Sequence, residues 1–298
     1  VPLLAAQSAV HVPAIGEPKG PPVLLLHGLG LGRWMWARTQ AILAAKGLAS
    51  WAIDLPGHGD HADQDPSLDD VLDAATAAAE ALGGDCLVVG HSFAGMVATV
   101  LATRLPLKGA ALISPLPVAP VRVLPTPPLA RVAATRLPQV MMGRRVGLSE
   151  HAKGLIGLNA VSAEDAARFT PLPGPLTREL YLRRPVVTRD QLRCPLLITH
   201  GFQDPVLRLW TSKLLADHLD AVLWRFDDVG HYAPLEPSGE RVLNAMAGWL
   251  VRPAGRKIVE IDPLAPHQGV GLDAREERRP LKSRSNSRFG ERAVKRTR

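Results

Sequence analysis

Gly90-His91-Ser92-Phe93-Ala94 constrains this 298-residue chain more than any other segment. It joins the apolar run Cys86-Leu87-Val88-Val89 to a helix-like stretch, Gly95-Met96-Val97-Ala98-Thr99-Val100-Leu101. A serine among small residues on a strand-to-helix turn reads as a nucleophile elbow. The turn is tight and strained, so the positions two before and two after the serine must be small. In return the hydroxyl stands clear of the backbone, and the next N–H points at whatever binds there. Ala94 stands where glycine is commoner, and its methyl is expected to fit. The competing reading of the same five residues is an ordinary helix N-cap serine.

Two more segments bear on that choice. Pro195-Leu196-Leu197-Ile198-Thr199-His200-Gly201 has the pattern of a short buried strand and runs into Phe202-Gln203-Asp204-Pro205. Ala221-Val222-Leu223-Trp224-Arg225-Phe226 has the same character and leads to Asp227-Asp228-Val229-Gly230-His231. Ser92, Asp204 and His231 thus each lie just past the carboxyl end of a predicted strand. In an open parallel sheet those ends line one edge, where sites form. Pro22-Val23-Leu24-Leu25-Leu26 brings a fourth segment to that edge, the glycine-rich loop His27-Gly28-Leu29-Gly30.

With these motifs, together with Asp54-Leu55-Pro56-Gly57-His58-Gly59, the chain resembles the α/β-hydrolase family over roughly residues 10 to 251. The resemblance implies an α/β fold: a mostly parallel central sheet with helices on both faces and a helical cap inserted after the sixth strand. It also implies a Ser–His–Asp triad in the order Ser92, Asp204, His231. Ser92 would attack, His231 would act as general base and then acid, and Asp204 would orient the imidazole. The family pattern assigns the oxyanion hole to the backbone N–H groups of Leu29 and Phe93, and Leu29, Phe93 and Trp34 are expected at the substrate pocket. Asp227 and Asp228 are rival carboxylates, poorly placed because they precede His231 on the same strand end. His27 is expected to brace the glycine loop, His91 to face away from the site, and His200 to be a packed residue. His58, Asp60, His61, Asp63 and Asp65 crowd one loop, but their spacing matches no standard zinc pattern, so no metal is expected.

The function implied is hydrolysis of a carboxylic ester or thioester of a small to medium apolar acyl group through an acyl-serine, with no cofactor. C–C bond hydrolysis, perhydrolysis and acyl transfer use the same residues. A ligand-binding receptor on this fold is the non-enzymatic alternative.

Strand and helix patterns alternate along the chain, as in βα units. Predicted helices cover 36–45, 67–82, 93–104, 207–219 and 239–251; predicted strands include 49–53 and 109–113. Residues 116–193 break the rhythm, with ten prolines and no strong strand. They are expected to form the cap between core segments 1–115 and 194–251, with helical patches near 128–135, 149–158 and 163–169.

The formal charge of +7 is unevenly placed. Residues 1–251 carry 22 basic and 22 acidic side chains, so the excess belongs to 252–298. That tail is expected to be disordered, and its charge suits contact with nucleic acid or anionic lipid as well as simple solvation. Within the body, residues 116–190 carry 11 basic and five acidic side chains. Either a basic cap docks on an acidic core, or it attracts an anionic substrate. No apolar run is long enough for a transmembrane helix. The N-terminus lacks the pattern of an export signal, so the expected location is cytoplasmic. Cys86 and Cys194 are the two cysteines of the chain and are expected to be reduced.

Overall fold

The computed structural model describes residues 8–123 and 125–254. The expectations about export and about the tail from 255 onward fall on residues outside these. Seven strands form one sheet: β1 Val10–Val12, β2 Val23–Leu26, β3 Ser50–Ile53, β4 Leu87–His91, β5 Gly109–Ile113, β6 Leu196–Gly201 and β7 Val222–Phe226. Their order is β1-β3-β2-β4-β5-β6-β7. β1 is antiparallel to β3, and every other pair is parallel.

Every residue of β2, β4, β5 and β6 is buried. A parallel sheet covered on both faces needs such strands, which explains why they read as continuous apolar runs. Side chains still alternate between faces. Leu24 and Leu26 join one core with helices α2 (Leu68–Ala81) and α3 (Phe93–Arg104). Val23 and Leu25 join the other, with Leu43 of helix α1 (Ala37–Ala45). Helix α2 starts at a reciprocal capping box, Ser67 with Asp70.

Between β5 and β6 lies an insert with four helices: α4 (Pro127–Met141), α5 (Glu150–Leu155), α6 (Ala163–Ala167) and α7 (Gly174–Leu182). It follows the fifth strand of the sheet, not the sixth, because β1 alone precedes β2 among the described residues. Helix α4 continues through Pro138 to Met141, beyond the patch expected at 128–135. Helices α8 (Leu209–Leu219) and α9 (Glu240–Val251) complete the fold, α8 on the α2–α3 core and α9 on the α1 core. Ser92, Asp204 and His231 follow the carboxyl ends of β4, β6 and β7.

Candidate active site

Ser92 sits between β4 and α3 with φ 52° and ψ −118°, a strained backbone for a side chain with a β-carbon. Neighbouring backbone over-determines that conformation. The Ser92 N–H donates to the Ile113 carbonyl (2.9 Å), and its own carbonyl accepts from the N–H groups of Gly95 and Leu116 (2.9 Å each). A β-carbon on Gly90 would run into the Ala94 carbonyl, and one on Gly95 would lie 2.5 Å from Pro115 Cβ. The Ala94 methyl packs in the core. The demand for a bare backbone therefore falls on Gly90 and Gly95, and position 94 accommodates a methyl.

The fold brings the three distant side chains into one hydrogen-bonded line. His231 Nε2 lies 3.0 Å from Ser92 Oγ. His231 Nδ1 lies 2.7 Å from Asp204 Oδ2. The other carboxylate oxygen of Asp204 accepts the N–H groups of Val206 (2.7 Å) and Leu207 (2.9 Å). Burial alone would raise the Asp204 pKa. The facing His231, His200 and the Leu207 N–H outweigh it and hold the carboxyl at about 2. A carboxylate that stays charged against Nδ1 leaves Nε2 free to take a proton from the hydroxyl.

Three further buried groups hold this line in place. The Glu236 carboxylate accepts the N–H of Gly230 (2.7 Å) on one side of His231 and the N–H of Tyr232 (2.8 Å) on the other. His91 Nε2–H donates to the His231 carbonyl (2.9 Å), and the two imidazoles pack with centroids 5.0 Å apart. Burial, with His231 adjacent, pushes the His91 pKa down to about 3, so it is neutral. His91 therefore turns toward His231, contrary to the expectation that it faces away. The fold closes on it from a segment 140 residues distant, which no local pattern announces. His200 lies behind Asp204: Nδ1 pairs with Ser212 Oγ (2.8 Å), and Nε2 lies 3.2 Å from the Leu207 carbonyl. Glu236 had no signal in the sequence beyond lying five residues after His231.

His27 ties the glycine loop to β3's exit. Its Nε2 accepts the Leu55 N–H (3.0 Å), and Nδ1–H donates to the Gly28 carbonyl (2.9 Å). Burial lowers its pKa to about 4. Leu29 and Phe93 line a cavity of about 630 Å³ that opens on Ser92 and His231. Among the described residues no acceptor takes the backbone N–H of either. The cavity's other walls come largely from the insert, including Leu129, Val132, Val140 and Ile156.

Trp34 does not reach this cavity. It lies on the 3₁₀ turn Arg33–Trp36, which sends Met35 and Trp36 into the core and leaves Trp34 on a separate cleft. There the Arg168 guanidinium stacks 4.4 Å above its ring. Asp227 and Asp228 pair with Arg225 (2.7 Å) and Arg241 (3.4 Å) on the surface. In the loop considered for a metal, Asp60 pairs with Arg33, Asp65 pairs with Arg145, and His58 Nδ1 lies 2.9 Å from the Pro56 carbonyl.

Comparison with known proteins identifies the family. The model of the Alpha/beta hydrolase family matches residues 23–245, and the chain belongs to that family. It is 33% identical over 231 residues to the pimeloyl-[acyl-carrier protein] methyl ester esterase of Aromatoleum aromaticum, covering 71% of this chain and 91% of that one. The enzyme of the same name from Chromobacterium violaceum is 29% identical, with 80% and 96% covered. Among solved structures, a thermophilic esterase from Thermogutta terrifontis superposes with a TM-score of 0.62 at 22% identity, covering 81% of this chain and 92% of that one. The monoacylglycerol lipase of Paleococcus ferrophilus gives 0.60 at 22% identity, with 82% and 97% covered.

Proposed function

We propose that this protein is a carboxylic ester hydrolase that works through an acyl-serine at Ser92. One observation carries the reading: the unbroken line from Ser92 Oγ through His231 to Asp204, at 3.0 and 2.7 Å, opening on a largely apolar cavity. In the first step His231 Nε2 takes the hydroxyl proton as Ser92 Oγ bonds to the carbonyl carbon. Asp204 holds the imidazole tautomer and stabilises the imidazolium. The N–H groups of Leu29 and Phe93 receive the negative oxygen of the tetrahedral intermediate, a contribution of about 3–4 kcal/mol per donor. His231 then protonates the leaving alcohol. Water, activated by the same imidazole, releases the acid and restores the serine.

The insert serves as a cap, and its apolar wall suits an acyl chain of small to medium size. The methyl ester esterases among the relatives support a small leaving alcohol. A thioester substrate fits the same chemistry. Cytoplasmic residence belongs to the proposal as well. Among the described residues no helix is long and apolar enough to cross a membrane. The test is turnover of p-nitrophenyl acetate and butyrate by the purified protein. Steady hydrolysis, lost in Ser92→Ala, supports the reading; absence of turnover on an ester series of rising acyl length overturns it.

A further inference from the structure

The 11 basic side chains between residues 116 and 190 divide into distinct groups. Some dock the insert on the body: Arg145 on Asp65 (3.1 Å), Arg183 on Asp69 (3.6 Å) and Arg189 on Asp220 (3.5 Å). Lys153 pairs within the insert with Glu150, and Arg168 covers Trp34. These contacts account for part of the positive charge, as a basic cap on an acidic core requires.

Arg122, Arg136 and Arg184 do something else. All three line the cavity that opens on Ser92, and among the described residues no Asp or Glu lines it with them. None of the three has a carboxylate partner among the described residues. Arg136 has a buried Nε without an acceptor. Arg184 is half-buried, donates to the Pro117 carbonyl (2.7 Å), and is pushed down from the ordinary arginine range by that burial. The half-buried Arg184 and the buried Nε of Arg136 carry a desolvation cost that an arriving anion offsets, while Arg122 is exposed beside them. Their planar donor fork matches a carboxylate or phosphate.

We propose that Arg122, Arg136 and Arg184 form an anion-recognition wall, so that the substrate is an ester that also carries a carboxylate or phosphate, joined to the reacting carbonyl through an apolar segment. This rests on the ester-hydrolase reading and narrows it to a substrate class. The apolar segment lies against Leu129, Val132, Val140 and Ile156, and the anion meets the arginines.

Two substrate pairs test the proposal. Monomethyl and dimethyl suberate differ by one charge on the acyl side. Butyryl esters of glycerol 3-phosphate and of glycerol differ by a phosphate on the alcohol side. In the wild type, kcat/KM for the charged member of at least one pair is expected to exceed that of its neutral counterpart about tenfold or more. In Arg136→Gln/Arg184→Gln that ratio falls about tenfold or more; taking the ratio within each variant removes any loss of folded protein. A conservative Arg184→Lys keeps part of the preference. Equal or faster turnover of the neutral member in both pairs overturns the proposal, as does a preference that survives the double substitution, while hydrolysis of p-nitrophenyl butyrate leaves the ester-hydrolase reading standing. Loss of that turnover in the wild type would bring down both.

Discussion

The Glu236 carboxylate spans His231: one oxygen accepts the N–H before it and the other the N–H after it, at 2.7 and 2.8 Å. A β-carbon on Gly230 would come within 2.7 Å of that carboxylate, so the glycine keeps the approach open. With His91 holding the His231 carbonyl, the backbone on both sides of the imidazole is fixed by side chains. Glu236→Ala leaves the buried Tyr232 N–H and the part-buried Gly230 N–H without acceptors, at about 1–3 kcal/mol for the buried one. The expected outcome is a lower unfolding midpoint and a kcat reduced more than tenfold with KM little changed. In Glu236→Gln an amide NH₂ faces one of the two N–H groups, and an intermediate loss is expected. Wild-type kcat in both variants would show that the bracket does not position His231.

Asp204→Asn removes the charge facing His231 Nδ1 and can present an N–H where the ring needs an acceptor. Turnover is expected to fall about a thousandfold or more. Asp227→Asn and Asp228→Asn, whose carboxylates pair with surface arginines, are expected to stay within about twofold of wild type. Steady-state kinetics on one p-nitrophenyl ester separates the three. Loss at 227 or 228 with retention at 204 would move the acid.

Gly90→Ala places a methyl against the Ala94 carbonyl inside the turn that presents Ser92. Relief requires moving the backbone, so the expected result is a destabilisation of about 1–3 kcal/mol or more and loss of activity. Thermal unfolding and turnover measured together check it. An unchanged midpoint would show that the turn has slack.

Burial depresses several imidazoles together: His27 to about 4, His58 and His91 to about 3, and His200 in the same direction. In the unfolded chain each takes a proton near pH 6.5, whereas the folded chain excludes it until lower pH. The stability they contribute is complete above about pH 6.5 and is lost as pH falls toward 4 and 3, at about 1.4 kcal/mol per pH unit for each group. The depressed Asp204 carboxyl adds its own loss below its ordinary range, as pH falls toward about 2. Urea unfolding between pH 7 and 4 is expected to show a falling midpoint with net proton uptake on unfolding. A flat midpoint over that range would contradict the burial of neutral imidazoles.

The parts legible in the sequence were those that local pattern controls. Helix Phe93–Arg104 and strand Gly109–Ile113 fall on their predicted bounds, because a glycine-flanked serine and a buried apolar run mark them sharply. Ser92, Asp204 and His231 were legible as strand-end residues, since a parallel sheet sends those ends to one edge. Helix Gly174–Leu182 was not among the expected helical patches; Pro175 falls in its first turn, where proline is tolerated. Helix α4 likewise runs through Pro138, past the patch expected at 128–135. Trp34 was misplaced because the 3₁₀ turn Arg33–Trp36, which leads into the predicted helix, carries its side chain to a separate cleft. His91 and the cavity-lining arginines act through contacts that exist only once the chain has folded.

The most direct measurement is to map the adduct left by a fluorophosphonate probe on the native protein. The expected result is a single phosphonylated peptide carrying the modification on Ser92, absent from a Ser92→Ala variant that keeps its unfolding midpoint. A probe that leaves Ser92 unmodified, or that labels Ser92→Ala as readily as wild type, would contradict the assignment of Ser92 as the nucleophile.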